Sequence, residues 1–273
     1  MTPNFNTSLD SLKRITVPLR VGGRASDEFA LLKAFFLRVI NLKRGLTLEE
    51  CLDRVMVVRR REGVYSVIRP NTSDLYNFAL EEEYELKNWF LPVASGVVVD
   101  VGAYIGKYTL FACKKSSVEK VIAIEPLPLN FVTLAANVKL NKCEEKVIIV
   151  NKAIDAVKGV KEMWIERYGR RLVLETASLS PWRLHRRSLK VKVHVEPLDD
   201  ILEALGVEEV QVLKIDVEGH VSAALPGMIH TLERSQHVMV ELLEKDISVH
   251  KRLKSLGFKL VDRHGSNYFY SKS

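Results

Sequence analysis

Cysteine is scarce: Cys51, Cys113 and Cys143 are the only three in 273 residues, far apart and in no C-x-x-C pair. That excludes a zinc ribbon or a small disulfide-stapled scaffold, and the three read as buried apolar side chains. Long apolar runs are missing as well. No stretch approaches the roughly 18 to 20 residues that cross a bilayer, and the N-terminus lacks the basic, apolar and small-residue succession of a secretory signal. A soluble, cytoplasmic protein without a membrane span is expected. Glutamine occurs only at Gln211 and Gln236, amid abundant Lys, Arg, Glu and Val, a composition that leans toward a thermophile. The net charge of +7 suits an anionic partner but is also common in plain soluble enzymes.

What is present is organised around one stretch, Val97-Val98-Val99-Asp100-Val101-Gly102-Ala103-Tyr104-Ile105-Gly106. A β-branched run stops at a carboxylate, turns through two glycines and resumes as a helical pattern through Cys113. Such a turn lets a ligand approach bare backbone at Gly102 and Gly106 and meet the positive end of the next helix. In the dinucleotide fingerprint G-x-G-x-x-G the second glycine makes room for a pyrophosphate. Here that position is Tyr104, and Asp100 would repel phosphates. S-adenosylmethionine fits better, because its amino-acid end carries an ammonium for a carboxylate and a carboxylate for N–H groups.

Residues 26–43 carry a broad apolar face, expected as a helix that packs on its own domain or pairs two subunits. Val55–Val58 and Val64–Ile68 alternate about a basic turn and predict a β-hairpin. Asp74–Phe90 reads as helical, ending before Pro92. From there strand and helix alternate, the pattern of a parallel sheet covered on both faces. Strands are expected at 97–101, 121–124, 147–150, 210–215 and 238–242, with helices at 129–140, 198–205, 221–232 and 247–256 and a terminal hairpin through Gly265-Ser266. Residues 159–195 interrupt the rhythm as β segments and loops. The division expected is an N-terminal extension over 1–90 and an α/β domain over 91–273.

In such a sheet ligands bind beyond the carboxyl ends of the strands. Asp100, Glu125 and Asp216 each end a strand, and Glu125 has the spacing of a ribose acceptor. With the stretches Val99 to Gly106, Ile124-Glu125-Pro126, Pro197-Leu198-Asp199-Asp200 and Leu213-Lys214-Ile215-Asp216-Val217-Glu218-Gly219, the chain resembles the FkbM-type class I S-adenosylmethionine-dependent methyltransferases. The resemblance spans roughly residues 84–245. It implies a Rossmann-like seven-stranded sheet with an antiparallel last strand, and methyl transfer, usually to a hydroxyl. By analogy Asp100, Gly102, Ala103, Tyr104 and Gly106 hold the amino-acid end of the donor, Glu125 with Pro126 the ribose, and Asn151 and Ala153 flank the adenine. Glu85 matches a family position near the donor.

Methyl transfer to oxygen benefits from a base, and Asp216 at the end of a strand is placed to serve. Lys214, two residues earlier on the same strand face, would orient Asp216 or the acceptor. Glu218 is either a third functional acid or a backbone-binding one. Glu241, near the end of the next strand, could reach the acceptor or be a paired structural acid, and His220 reads as a satisfied structural histidine. No diagnostic metal-ligand spacing occurs, so no metal is expected. The insertion carries Arg167, Arg170, Arg171, Arg183, Arg186, Arg187, Lys190 and Lys192 with Tyr168 and Trp182 interleaved. This is either a solvated rim or a grip on an anionic acceptor, RNA included. The expected activity is therefore O-methylation of a small, sugar or lipid-linked hydroxylated acceptor, with RNA methylation and non-catalytic donor binding as alternatives.

Overall fold

The computed structural model describes residues 51–60, 62–80, 84–168, 171–180, 188–243 and 246–272, so the helix expected over 26–43 lies outside the described residues. The chain divides into two compact units, Met1–Glu82 with Gly169–Leu172, and Glu83–Tyr168 with Val173–Ser273.

In the first unit β1 (Met56–Arg59) and β2 (Tyr65–Ile68) pair as the expected antiparallel hairpin. Alternation turns Met56, Val58, Ser66 and Ile68 inward, and Leu75 and Phe78 complete the buried set. Fully buried Asp74 is neutralised by a two-pronged pair with Arg69, Nε to Oδ2 at 2.7 Å and Nη2 to Oδ1 at 2.8 Å. Arg60 of the basic turn is tied down as well, its Nη1 donating to the Phe78 carbonyl at 2.6 Å.

The helical stretch expected over 74–90 consists of two wide π-type segments, Tyr76–Leu80 and Leu86–Phe90. The second continues through Leu91–Val93 past the expected stop at Pro92. Pro92 removes one N–H from the ladder, but the bonds on either side of it, Leu91 N–H to the Leu86 carbonyl and Ala94 N–H to the Phe90 carbonyl at 2.9 Å, carry the turn past it.

The second unit begins with β3 (Gly96–Val101), α1 (Lys107–Cys113), β4 (Val118–Ile124), α2 (Pro128–Leu140) and β5 (Val147–Val150). The interruption follows as β6 (Ala153–Ile154), β7 (Gly159–Tyr168), β8 (Arg171–Ser178) and β9 (Leu189–Glu196), which make their own sheet in the order β6-β9-β7-β8. Then come α3 (Leu198–Ala204), β10 (Val210–Ile215), α4 (Val221–Ala224), α5 (Ile229–Glu233), β11 (Ser235–Glu241), α6 (Ile247–Ser255), β12 (Lys259–His264) and β13 (Asn267–Ser271).

Seven of these strands form the main sheet, in the order β12-β13-β11-β10-β3-β4-β5. β3, β4, β5, β10 and β11 run parallel, while β13 is antiparallel to β11 and β12 to β13. The continuous apolar runs follow from burial on both faces: Val98, Val99, Val101, Val121, Ile122, Leu213 and Ile215 are all inaccessible. Because the chain spreads one way from β3 and the other way from β10, a crevice opens beyond their carboxyl ends. The class I methyltransferase-like α/β architecture is present as expected.

Two expectations are corrected. The helix read over 221–232 is broken into α4, a 3₁₀ turn at Leu225–Met228, and α5. Pro226 has no N–H to continue the ladder, and a Cβ on Gly227 would meet the Asp155 carbonyl oxygen at 2.3 Å. Asp199 then caps the restart, Oδ1 accepting from the Thr231 N–H at 2.7 Å. Second, Cys113 and Cys143 form a disulfide, with Cα atoms 6.0 Å apart, rather than two independent apolar side chains; Cys51 stays free and buried. Cys113 ends α1 and Cys143 follows α2, and adjacent parallel strands bring those two helix ends together across 30 residues of sequence.

Candidate active site

Asp100 lies at the carboxyl end of β3 and is 1% exposed. Its Oδ2 accepts from the Thr109 N–H at 3.1 Å and hydroxyl at 2.7 Å, tying the strand to α1. Its Oδ1 is buried with no hydrogen bond, though Lys214 Nζ stands 3.4 Å away. A buried carboxylate oxygen that accepts no hydrogen bond has capacity left for an incoming ammonium. That oxygen, near the Lys214 ammonium but accepting no hydrogen bond, is the observation by which this loop fits the amino-acid end of S-adenosylmethionine.

The glycines work differently from the reading as open backbone. Gly102 and Ala103 N–H groups both donate to the Ile124 carbonyl, at 2.9 and 3.0 Å, and the Gly106 N–H donates to Ala103 at 2.8 Å. A Cβ on Gly102 would lie 1.8 Å from the Asp216 carbonyl oxygen, and one on Gly106 would lie 2.5 Å from Leu134 Cδ1. The missing side chains make room first for the protein itself, and Gly102 lets the β3 loop press against the end of β10. Both residues have positive φ, +76° and +96°, as does Tyr104 at +53°.

Glu125, buried at the end of β4, is fixed by the Gly102–Gly106 turn and by its own helix. Oε2 accepts from the Tyr104 N–H at 2.9 Å; Oε1 accepts from the Leu127 N–H at 3.0 Å and Asn130 Nδ2 at 3.2 Å. Asn151 Nδ2 donates to the carbonyls of Glu125 at 2.8 Å and Pro126 at 3.0 Å, so it braces the turn that carries Glu125. Ala153 is buried in β6, paired with Val195. Asn137 holds the loop from behind through the Ile105 carbonyl at 2.8 Å.

Beyond β10 and β11 the acids gather. Asp216 donates its N–H to the Val101 carbonyl at 3.0 Å, and its side chain is 39% exposed. Lys214 lies on the same strand face, between Asp100 and Asp216 at 3.4 and 3.5 Å, with its ammonium 4.9 Å from the Tyr108 ring centroid. Carboxylate oxygens of Asp216, Glu218 and Glu241 lie within 4.8 Å of one another, a cluster among the described residues that could also hold a divalent cation. Burial first, and then the charge of Asp216, push Glu241 up to about 7, while Ser266 Oγ donates to its Oε1 at 3.0 Å.

Glu218 has φ +50°, and its carbonyl accepts from Ser178 Oγ at 2.6 Å. His220 is satisfied on both ring nitrogens, by Asp155 Oδ2 at 2.8 Å and Ser180 Oγ at 2.7 Å. Burial works to raise the Asp155 pKa, but hydrogen bonds and charges from Lys161 and His220 together hold it below its ordinary value.

Glu85, expected near the donor, is placed against the turn between β12 and β13: its Oε1 accepts from Asn267 Nδ2 at 3.1 Å and contacts His264 Nδ1 at 2.8 Å. Ser266, His264 and Asn267 carried no sequence signal, because nothing local ties that turn to Glu85 or to the end of β11. In the basic insertion Lys190 pairs with Glu162 at 2.7 Å and covers Trp164, and Arg171 donates to Ser73 Oγ at 2.5 Å. Arg170, Arg183, Arg186, Arg187 and Trp182, and the side chain of Tyr168, lie outside the described residues.

Residues 100–260 match the family model of the methyltransferase FkbM domain. The chain is 26% identical over 213 residues to methyltransferase sdnD of Sordaria araneosa, which covers 67% of this chain and 80% of that protein. It is 27% identical over 148 residues to the hexuronic acid methyltransferase AglP of Haloferax volcanii, covering 54% of this chain and 55% of that one. The crystal structure of methyltransferase FkbM from Methylobacillus flagellatus shares the fold, with a TM-score of 0.50 and 15% identity over 96% of this chain and 59% of that chain. S-adenosylmethionine is the methyl donor general to these enzymes. With more than half of its length matched, this chain belongs to the FkbM family of S-adenosylmethionine-dependent methyltransferases.

Proposed function

We propose that this enzyme methylates a hydroxyl oxygen of a sugar or similar small hydroxylated acceptor. The observation that carries the reading is the meeting of the two loops at Gly102 and Asp216: the turn proposed for the donor and the first acid proposed for the acceptor are in main-chain contact. The printed name of the relative AglP, a hexuronic acid methyltransferase, supports a sugar acceptor. When bound, S-adenosylmethionine supplies an electrophilic methyl group on a sulfonium.

In this reading Asp100 and the turn Gly102-Ala103-Tyr104-Ile105-Gly106 hold the donor's amino-acid end. Glu125 receives the ribose, and the segment from Pro126 through Asn151 to Ala153 borders the adenine. Asp216 takes the proton from the attacking hydroxyl, so that an alkoxide-like oxygen faces the methyl carbon in line. Lys214 aims the Asp216 carboxylate, since it pairs with it from within the strand. Glu241 and Glu218 accept neighbouring hydroxyls of the acceptor.

No helix among the described residues is long and apolar enough to cross a membrane. The low glutamine content favours an organism growing at high temperature, in which a disulfide such as Cys113–Cys143 is compatible with a cytoplasmic protein.

Calorimetric titration with S-adenosylmethionine, followed by turnover on glucuronic acid and on transfer RNA, tests the reading. Asp216→Asn should bind the donor like the parent and lose turnover by about a hundredfold or more; Glu125→Ala should lose donor binding. Turnover on RNA alone would replace the sugar reading with the nucleic-acid one.

A further inference from the structure

The turn between β12 and β13 gathers side chains that methyl transfer itself does not require. Because β13 runs antiparallel to β11, Asn267 stands opposite Glu241, and the turn reaches the same sheet edge as Asp216. Ser266 fastens it there, with Oγ donating to Glu241 at 3.0 Å and its carbonyl accepting from the Leu242 N–H at 2.9 Å. On the turn's other side, His264 and Asn267 both engage one oxygen of Glu85, Oε1. Glu85 is only 7% exposed, and its Oε2 makes no hydrogen bond to a described residue.

Beside this half-used carboxylate stand two exposed rings. Tyr84 is 43% exposed, and the His264 side chain is 60% exposed; their centroids are 4.9 Å apart at 40°. The pair is held from beneath. Asp262 accepts from the Tyr84 hydroxyl at 3.1 Å and from Trp89 Nε1 at 2.8 Å, and Trp89 meets Tyr84 edge-on at 5.7 Å. A fixed ring face next to an open carboxylate oxygen and an amide is matched to a hydroxylated ring, whose C–H face packs on the aromatic while its hydroxyls donate to the acid.

We propose that Tyr84, Glu85, His264 and Asn267 form a second acceptor subsite, which binds the glycosyl unit next to the one that is methylated. The inference rests on the sugar-acceptor reading above, and it makes the enzyme select a disaccharide or longer glycan over the free monosaccharide. The contact path from Asp216 through Glu241 and Ser266 to Asn267 and Glu85 supplies the continuity that two linked rings would follow.

The test uses the full chain with S-adenosylmethionine and two probes: glucuronic acid, and a disaccharide of glucuronic acid linked to glucose. The disaccharide should show a KM about tenfold lower than the monosaccharide, the worth of one charge-assisted hydrogen bond with a ring contact. Tyr84→Ala and His264→Ala, both at exposed positions, should raise the disaccharide KM to the monosaccharide value with little change in kcat. Glu85→Gln should do the same while calorimetric affinity for the donor holds.

Equal KM values for both probes in the parent would overturn the subsite. So would a disaccharide KM untouched by the three variants, and a loss of donor affinity in Glu85→Gln would return that residue to the donor. If the parent methylates neither probe but does methylate RNA, the sugar reading itself falls and takes the subsite with it.

Discussion

Replacing Gly102 with alanine tests whether the Gly102–Gly106 turn and the end of β10 form one mechanical piece. An added Cβ would lie 1.8 Å from the Asp216 carbonyl oxygen and 2.9 Å from its carbon, at a φ of +76° that side chains rarely adopt. Two further alanine variants separate the steric from the backbone effect. At Gly257, with φ +86°, nothing lies within 4 Å of an added Cβ. Only the left-handed backbone penalty remains there, about 1 to 2 kcal/mol. At Gly106 the obstacle is Leu134 Cδ1 at 2.5 Å, the far end of a side chain that can turn aside. That adds about 1 kcal/mol. At Gly102 the obstacle is main chain, anchored by the Asp216 N–H to Val101 bond at 3.0 Å. Forcing it aside adds about 2 to 3 kcal/mol, for a total of about 3 to 5 kcal/mol. Against a typical stability of about 5 to 15 kcal/mol this is a large fraction, and it corresponds to a fall of roughly 10 °C in melting temperature. Scanning calorimetry of the three variants should rank them Gly102, Gly106, Gly257 from most to least damaged. A Gly102→Ala protein that melts with Gly257→Ala would refute the claim that the two loops touch.

Glu241 holds its proton more tightly in the folded chain than the ordinary 4.5, up to about 7, because it is buried and faces Asp216. The stability that this proton contributes is therefore complete below about pH 4.5 and lost as pH rises through about 7, on the order of 3 kcal/mol in all. Glu241→Gln should flatten the pH dependence of urea unfolding between pH 5 and 8, measured in EDTA so that no cation replaces the proton; a slope equal to the parent's would disprove the cause given. The Cys113–Cys143 bond closes a loop of 30 residues. Chain entropy puts its contribution at about 3 to 4 kcal/mol, so Cys143→Ser should melt below the parent in oxidising buffer and match it in reducing buffer. Denatured, unreduced parent protein should present a single titratable thiol, Cys51, and three would exclude the bond.

What the sequence determined by itself was the local period. Val97 to Val101 and Val210 to Ile215 are rich in β-branched and other apolar residues, broken only by Asp100, Gln211 and Lys214, because both faces of the sheet are covered, and a reader of residues sees that directly. The acids at strand ends, Asp100, Glu125 and Asp216, were legible for the same reason: a parallel sheet sends every carboxyl end to one edge. The break after β10 was missed: the apolar spacing over 221–232 read as one helix, although Pro226 lacks the N–H that would carry the ladder through.

Lateral order was a different matter. That Cys113 meets Cys143, that Ser266 bonds Glu241, and that Glu85 rests on His264 and Asn267 depends on which strands become neighbours, and crossover packing sets this rather than any spacing within a segment. The duty of Gly102 was hidden likewise. From the sequence it offered space to a ligand, but the tertiary structure fills that space with the carbonyl of Asp216, because β3 and β10 lie side by side and their loops must pass within contact of each other.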